Sequence, residues 1–269
     1  LETADGSVWF RSGRSLNAIA GKARAVRYHD GQWSAEDAAD GFLDGEVFSM
    51  MTTASGDLWY VGTHGGRTAL ARRVEDGWWL YTEGLVDASS SPHPTGYVAR
   101  PFLVETGGEL YLAGSVDGGA AFSRFDGERW SVQTLDDGGL CESVNGMLYT
   151  SDGSLWVACW RPAGIEPNRG GALFRFDGGE WSAHTTLDGL ASTYITGLSE
   201  WPEGTLWVGH IEGTSSLDLT AGEALWSNDV DFDVLRPKPG DFLPGADDLW
   251  FAFMANRRAG AMRYDGRTW

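Results

Sequence analysis

The stretch LFRFDGGEW, residues 173–181, decides the fold, because the chain repeats it with few changes. Close copies are FSRFDGERW at 122–130 and AMRYDGRTW at 261–269. In each copy an Asp-Gly pair separates two short runs that contain aromatic residues. Asp-Gly accepts the positive φ angles of a two-residue hairpin turn. Each copy therefore predicts a β-hairpin.

A second line of sequence, typified by GSLWV at 153–157, alternates with this hairpin along the chain. A short inner strand such as SVNGMLYT, 143–150, precedes it, so each unit reads as four strands. Large aromatic residues in the second line would fill the wedge between neighbouring sheets. These residues, 43 to 52 positions apart, are Trp9, Trp59, Tyr111, Trp156, Trp207 and Trp250.

Four-stranded sheets repeated every 40–50 residues or so are typical of a β-propeller. The sequence therefore predicts one all-β domain over residues 1–269, a six-bladed β-propeller with four-stranded antiparallel blades. The approximate blades are 1–40, 41–90, 91–140, 141–190, 191–230 and 231–269.

Both ends of the repeat are short. Trp9 has too few residues before it for a full inner strand, and the chain stops at Trp269, where other outer strands continue. We expect a minimally closed seam, in a chain that is either trimmed or part of a longer native protein.

The charge of the chain disfavours two classes of partner. With 20 Lys and Arg against 38 Asp and Glu, the net charge is −18. Such a surface repels phosphate backbones and anionic lipids, so we expect no nucleic-acid partner. No apolar run approaches the roughly 18 residues that span a bilayer, so we expect no membrane insertion.

Cys141 and Cys159 are the two cysteines of the chain. Two cysteines exclude a zinc site of paired Cys-x-x-Cys motifs. A disulfide between them is one alternative because they lie close in sequence. The other alternative, favoured here, is a pair of partly buried free thiols.

The run DGSLWVA…LFRFDGGEWSAHTTLDGLASTYITGL, across 152–198, resembles the two-component regulator propeller repeat. The Asp-Gly-Leu element that ends this repeat is matched at 83–85, 138–140 and 188–190. In that family, propellers commonly form the extracytoplasmic sensor part of bacterial signalling proteins, often linked to polysaccharide sensing. The resemblance thus implies a ligand-binding sensor in the periplasm or outside the cell.

A weaker similarity links DGSVWF, residues 5–10, to streptogramin lyases, which carry metal-dependent chemistry on a propeller. Six-bladed phosphotriesterases and lactonases share the predicted architecture but not these motifs. Fold does not decide among such functions. The sequence leaves open whether the protein is an enzyme, a binding sensor or an interaction module in a larger assembly.

Propeller ligands usually occupy the central channel or one of its mouths. When the inner strands are aligned on the following aromatic residue, the position eleven residues before it varies and becomes polar. This row is either the lining of a channel or a set of hydrogen-bonding positions between blades. Its members are Phe48, Arg100, Asn145, Thr196 and Pro239.

Aromatic side chains stack on sugar rings, and arginines pair with carboxylates. Such residues near the predicted channel indicate a small-molecule or glycan ligand, including an acidic glycan. For Trp160 the alternative interpretation, packing as a wedge residue between neighbouring sheets, has equal weight. The predicted ligand-binding set is Arg100, Asn145, Trp160, Arg161, Tyr194, Thr196, Asn256 and Arg257.

Two histidines support the alternative of a metal-dependent hydrolase or lyase. His64 and His210 are predicted in corresponding loops of blades two and five, and with Glu46 they form the candidate catalytic set. A divalent metal, Ca, Mg, Mn or Zn, would convert bound water into a nucleophile. Its candidate ligands are Glu142, Asn145, His210 and Glu212.

Overall fold

The structure is a computed structural model of the chain. It describes residues 1–11, 24–75, 77–88, 103–106, 109–117, 119–135, 141, 143–160, 171–210, 213–221, 225–229, 242–255 and 258–269. Within these ranges no helix is both long enough and apolar enough to cross a bilayer.

The described residues form 22 strands in six antiparallel sheets, joined by two short 3-10 helices, Ala38–Asp40 and Thr186–Asp188. Sheet 1 contains β1 (Val8–Arg11), β2 (Ala25–His29) and β3 (Gln32–Glu36). Sheet 2 contains β4 (Val47–Thr52), β5 (Leu58–His64), β6 (Arg67–Val74) and β7 (Gly77–Tyr81). Sheet 3 contains β8 (Leu103–Thr106), β9 (Glu109–Val116), β10 (Gly119–Phe125) and β11 (Trp130–Thr134).

Sheet 4 contains β12 (Ser143–Tyr149), β13 (Leu155–Trp160), β14 (Ala172–Phe176) and β15 (Trp181–His184). Sheet 5 contains β16 (Ile195–Glu200), β17 (Thr205–His210), β18 (Gly213–Asp218) and β19 (Trp226–Asp229). Sheet 6 contains β20 (Phe242–Pro244), β21 (Leu249–Ala255) and β22 (Arg258–Tyr264).

The all-β class and the antiparallel order are confirmed, and six sheets match the six predicted blades. Sheets 2 to 5 have the four predicted strands, whereas sheets 1 and 6, which hold the short ends of the repeat, have three in the described residues. In sheet 1 the first residues of the chain lie beside β1 but do not form a regular strand. There the Trp9 N–H donates to the Leu1 carbonyl at 2.7 Å, and Glu2 bridges to Val8.

The chain divides into two compact units, so the single domain stays a prediction. The first unit consists of Leu1–Pro92, Val98–Asp117 and Ala121–Thr134, and the second of His93–Tyr97, Gly118–Ala120 and Leu135–Trp269. Sheets 1 and 2 and nearly all of sheet 3 belong to the first unit, and sheets 4, 5 and 6 belong to the second.

Within the first unit, the predicted wedge residues fill the spaces between successive sheets. Trp9 of sheet 1 lies in a buried cluster with Phe42 and Tyr60. Trp59 of sheet 2 lies in another with Leu110 and other residues of sheet 3. The aromatic rows therefore pack sheet against sheet, as the repeat predicts.

Within the second unit, Trp156 packs with Ile195 of sheet 5, and Trp207 packs with Phe251 of sheet 6. Trp250 differs, because it is 41% exposed. Successive strand residues point to opposite faces, so the face that packs on sheet 5 carries Phe251 and the other face carries Trp250.

The turns follow the prediction only in part. At Asp30-Gly31 both φ angles are positive, 49° and 78°, and the turn has two residues. The turns at 126–129 and 177–180 have four residues, so a two-residue turn is wrong there. In the second of them the Asp177 carboxylate accepts N–H groups two and three residues later, both at 3.0 Å, and thereby closes the wider loop.

Candidate functional site

The variable row of the inner strands is a row of β-bulges. In β4, β12 and β16 the pairing register skips one residue, which has no partner in the neighbouring strand. A bulge of this kind bends the strand and changes the direction of the unpaired side chain. The skipped residues are Phe48, Asn145 and Thr196, three of the five predicted members of the row.

The residue in the bulge differs from sheet to sheet, and so does its role. Phe48 packs against the buried cluster around Trp59, so it contributes to the core of the first unit. Thr196 is half-buried, and its Oγ1 finds no hydrogen-bond partner among the described residues. A buried hydroxyl without a partner is costly, so a ligand atom would gain by pairing with it.

Gly209 makes room for this hydroxyl. It lies opposite Gly197, next to the bulge. A Cβ on Gly209 would come within 3.3 Å of Thr196 Oγ1 and 3.0 Å of Phe251 Cε2. A side chain at this position would therefore crowd sheet 6 and the bulge, which both lie close to β17.

Two of the bulges are neighbours within the second unit. Strand β12, with Asn145, lies beside β16, with Thr196. A Cβ on Gly146 would lie 4.0 Å from Leu198 Cδ1, so the residue after the bulge of β12 lies near the side chain of Leu198 on β16. The structure thus brings two predicted ligand-binding positions together, with the backbone alone described at Asn145.

Tyr194 lies just before β16, at the same end of the strand as Thr196. Its N–H donates to Ser192 Oγ at 3.2 Å. Partial burial raises the pKa of the Tyr194 phenol, so the group stays neutral at ordinary pH. A neutral phenol can both donate and accept a hydrogen bond.

Several predicted residues lie outside the described part of the chain. Trp160 ends β13, where it pairs with Ser143, and its backbone alone is described. For the others nothing is described, and their predicted roles stay predictions: Arg100, Glu142, Arg161, Glu212, Pro239, Asn256 and Arg257.

The two candidate catalytic histidines end strands β5 and β17, so the prediction that they lie in corresponding loops is wrong. The register places Gly62, and not His64, at the position equivalent to His210. His64 is partly exposed, with Nδ1 3.7 Å from Asp44 Oδ2. Glu46 is exposed, and its N–H donates to Thr63 Oγ1 at 2.8 Å.

His210 is buried in a polar network. Its Nε2 lies 3.0 Å from Ser215 Oγ, and that hydroxyl donates to Asn228 Oδ1 at 2.6 Å. Because Ser215 donates to Asn228, the network favours His210 with the proton on Nε2. Burial lowers the pKa of His210 to about 4, so the ring is neutral at ordinary pH.

Among the described residues no three His, Cys, Asp or Glu side chains converge on a point that could hold a metal. His64 belongs to the first unit and His210 to the second. Since Glu142 and Glu212 are outside the described residues, the divalent-metal site stays a prediction.

Cys141 and Cys159 form a disulfide, so the interpretation as free thiols is wrong. The pairing of β12 with β13 places Val144 opposite Cys159 and brings the preceding segment close. The two Cα atoms are 5.2 Å apart, within the range that a disulfide spans. The bridge fixes the start of the bulged strand β12.

Sequence analysis missed the role of an arginine in the third strand of the sheets. In sheet 4, Arg175 donates to Asp152 Oδ2 at 2.8 Å and to Ser154 Oγ at 2.9 Å. Its guanidinium carbon lies 5.5 Å from the centre of the Trp156 ring. We call this arrangement of acid, arginine and tryptophan the acid–Arg–Trp unit.

Sheet 1 repeats the unit almost atom for atom. Arg27 donates to Asp5 at 2.9 Å and to Ser7 at 2.8 Å, and its guanidinium carbon is 5.6 Å from the Trp9 ring centre. The signal was present in the sequence, since the hairpin motif carries this arginine in five of its six copies. Three further sheets pair this arginine with an acid, as Asp57–Arg72, Glu109–Arg124 and Asp248–Arg263.

Together, the repeated sheets and the bulged inner strands define a propeller-type repeat protein. No protein-family model matches the chain, and no curated protein sequence matches it. Solved structures do match. PorZ, a bacterial surface component of the type-IX secretion system of Porphyromonas gingivalis, is 15% identical with a TM-score of 0.60, over 97% of this chain and 39% of its own.

The extracellular domain of BT4673 from B. thetaiotaomicron, assigned to a one-component system, is 12% identical with a TM-score of 0.55, over 99% of this chain and 36% of its own. An α-L-arabinanase of Penicillium chrysogenum, in complex with arabinobiose, is 13% identical with a TM-score of 0.51, over 98% of this chain and 91% of its own.

These similarities confirm, at the level of fold, the resemblance to sensor-type propellers. The chain spans less than half of PorZ and of the BT4673 chain. Both of those proteins are extracellular or surface components, and the arabinanase binds a sugar.

Proposed function

We propose that the protein is a ligand-binding propeller of the sensor type, which recognises a small molecule or a fragment of a glycan at the bulged end of strands β12 and β16. The proposal includes the complete six-bladed ring predicted from the sequence. It also includes an extracytoplasmic location, which the disulfide and the extracellular structural neighbours support.

One observation carries the proposal. The bulge recurs at the same step of three inner strands, while its residue changes from Phe48 to Asn145 to Thr196. A row that served packing alone would keep its chemistry along with its geometry. Here the bulge is kept while its side chain changes from apolar to polar, as expected of a surface that recognises an asymmetric ligand.

The polar groups at β16 suit a sugar. The Thr196 hydroxyl has no partner among the described residues, and the neutral Tyr194 phenol lies two residues away. Sugar hydroxyls both donate and accept, so they can pair with both groups. The arabinobiose complex of the arabinanase shows that a structural neighbour holds a sugar, which favours saccharides as the first ligands to test.

The test is a thermal-shift and calorimetric screen with arabinobiose, cellobiose and digalacturonate. We expect at least one of them to raise the melting temperature. Thr196→Ala and Asn145→Ala should each weaken its binding about tenfold, the loss expected for a hydrogen bond to a ligand. Thr134→Ala, the same change on the exposed outer strand β11, serves as the matched control and should bind like the parent.

Two results would count against the proposal. One is that no saccharide stabilises the protein. The other is that a saccharide binds with equal affinity to the parent, Thr196→Ala and Asn145→Ala, which would place its site away from the bulges.

A further inference from the structure

A cleft of about 620 Å³ lies between sheets 5 and 6, within the second unit. We call it the sheet 5–6 cleft. It is lined by the turn before β17, by one face of β17, β18 and β19, and by the end of β22 with the segment after it. Among the described residues that line it, Arg267 is the single one with a charged side chain.

Two serines lie side by side in this cleft. Ser216 of β18 is opposite Trp207 of β17 on one side and opposite Ser227 of β19 on the other. In sheets 1, 2 and 4 the position of Ser216 holds an arginine. Neither serine hydroxyl forms a hydrogen bond with another described residue. Both can therefore donate to and accept from a ligand.

A third hydroxyl of the cleft lacks the partner that its counterpart in sheet 4 has. Thr205 stands two residues before Trp207, as Ser154 stands two residues before Trp156. The Ser154 hydroxyl accepts a hydrogen bond from Arg175 at 2.9 Å. Because sheet 5 has no such arginine, the Thr205 hydroxyl has no partner in the described part of the chain.

Aromatic rings form the other walls of the cleft. The ring centres of Trp201 and Tyr264 are 6.1 Å apart, and those of Tyr264 and Trp269 are 5.1 Å apart. All three side chains are half-buried, so part of each remains accessible. The indole N–H of Trp201 donates to the Gly245 carbonyl at 2.9 Å, which holds this ring in place. Aromatic rings fixed in this way offer apolar surface at a small cost in conformational entropy.

The cleft between sheets 1 and 2 shows what is distinctive here. Its volume is about 590 Å³, so size does not distinguish the two clefts. Two of its acids pair with two of its arginines, at 2.9 and 3.0 Å. The sheet 5–6 cleft has hydroxyls and aromatic rings in place of these ion pairs, and its cation has no acid beside it in the lining. The charged residues that line the cleft between sheets 1 and 2 are Asp5, Arg27, Asp57, Arg72, Arg73 and Glu75.

The guanidinium of Arg267 is available to a ligand. Arg267 is exposed, and its side chain forms no ion pair with another described residue. Asp265, two residues earlier, is engaged by its own turn, because its Oδ1 accepts the Arg267 N–H at 2.9 Å and the Thr268 N–H at 2.8 Å. The cleft thus offers one cation to an anionic group.

We propose that the sheet 5–6 cleft binds a sugar acid, such as a uronic acid residue of an acidic glycan. Arg267 pairs with its carboxylate, since guanidinium groups bind carboxylates through two parallel hydrogen bonds. Its hydroxyls pair with the hydroxyls of Thr205, Ser216 and Ser227. The apolar face of its ring packs on the aromatic walls. This site is separate from the saccharide site proposed above, which lies on the inner strands β12 and β16.

The probe is digalacturonate, titrated into ¹⁵N-labelled protein of residues 1–269 while the indole N–H resonances of Trp201 and Trp269 are followed. Trp201→Phe and Trp269→Phe assign these resonances by their disappearance. We expect a saturable shift with digalacturonate. The neutral disaccharide α-1,4-galactobiose should bind about tenfold more weakly, because it lacks the carboxylates. The net charge of −18 would by itself produce the opposite order, since it repels the acid.

Variants test the two kinds of polar contact. Arg267→Gln should weaken digalacturonate binding about tenfold and leave galactobiose binding unchanged. Arg129→Gln, the same change in the corresponding turn of sheet 3, is the matched control and should bind like the parent. Ser227→Ala should weaken the binding of both sugars roughly three- to tenfold. Its control is Ser182→Ala, at the same place in sheet 4. All four side chains are exposed, so each variant should keep the melting temperature of the parent.

The proposal is overturned if digalacturonate causes no saturable shift, if galactobiose binds as tightly, or if Arg267→Gln or Ser227→Ala binds digalacturonate like the parent. Loss of binding in Thr196→Ala but not in Arg267→Gln would place the acidic sugar at the bulges, in favour of the proposed function and against this site. Loss in Arg267→Gln but not in Thr196→Ala would support the cleft, whichever saccharides bind at the bulges.

Discussion

A single arginine in the third strand connects the two lines of the repeat. In sheet 4, Arg175 bonds to the turn that precedes β13 and covers the tryptophan that β13 buries. Burial alone would raise the pKa of Asp152, but hydrogen bonds from Thr150 and Ser154, together with the charge of Arg175, outweigh it and lower the pKa. The carboxylate is therefore ionised and paired at neutral pH.

Removing this arginine should destabilise the protein measurably. We expect Arg175→Gln to lower the free energy of unfolding by about 1–2 kcal/mol, through the loss of a charged hydrogen bond and of stacking on Trp156. Arg129→Gln is the matched control, because Arg129 is 83% exposed on the side chain and its ion pair is local. Urea denaturation measures both, and equal stability of the two variants would contradict the role given to Arg175.

The buried imidazole of His210 predicts a pH dependence of stability. Its pKa is about 4 in the folded protein, against an ordinary 6.5, so the unfolded chain binds more protons between these values. The free energy of unfolding should therefore fall as pH decreases from 6.5 to 4, by up to about 3 kcal/mol from this residue.

His210→Gln removes the titrating ring and should flatten the stability profile between pH 4 and 6.5. The variant His29→Gln, at a partly exposed histidine that ends β2, is the control and should keep the slope of the parent. Thermal unfolding across this pH range measures all three. A parental slope in His210→Gln would show that other groups cause the dependence.

At the scale of elements, the sequence predicted the strands better than their pairing. The Asp-Gly pairs mark the last hairpin of sheets 1 to 4. Yet the turns at 126–129 and 177–180 are wider than predicted, because an aspartate side chain closes each of them with hydrogen bonds to later N–H groups. A two-residue turn and a four-residue turn with the same Asp-Gly letters cannot be told apart from the sequence.

The bulges show the same limit. The variable row was visible because its residue changes from Phe48 to Asn145 and Thr196 while the rows on either side of it stay apolar. That each is an extra residue in its strand depends on how the inner strand pairs with its neighbour, which no spacing within one strand reveals.

We expect the disulfide, which links β13 to the segment before β12, to contribute strongly to the stability of the fold. Cys141 and Cys159 close a loop with a sequence separation of 18 residues. Restricting such a loop in the unfolded chain stabilises the fold by about 3 kcal/mol. The double variant Cys141→Ala with Cys159→Ala should lose roughly that amount in chemical denaturation.

Reduction of the parent provides the control, because a reductant should destabilise the parent and leave the double variant unchanged. If the free energy of unfolding of the double variant lay within about 0.5 kcal/mol of that of the oxidised parent, the bridge would have no stabilising role.

At the scale of the whole molecule, the repeat predicted the all-β class and the six sheets, because each copy carries the same packing residues. The site was less predictable. Its residues belong to different sheets, and the acid–Arg–Trp unit becomes visible only when side chains from two strands and from the turn before them are seen together. In sheet 5 the residue opposite Trp207 is Ser216, and only the arginines at this position in other sheets show which side chain it replaces.

The central claim is that the sheets are copies of one acid–Arg–Trp unit, in which an arginine pairs with the acid and covers the tryptophan. The most direct measurement is the free energy of unfolding of Arg27→Gln, which removes the arginine of sheet 1, against the parent in the same buffer. We predict a loss of about 1–2 kcal/mol, as for Arg175→Gln, because Arg27 pairs with Asp5 and covers Trp9. Stability equal to that of the parent would show that the arginine does not stabilise the repeated unit and would contradict the account.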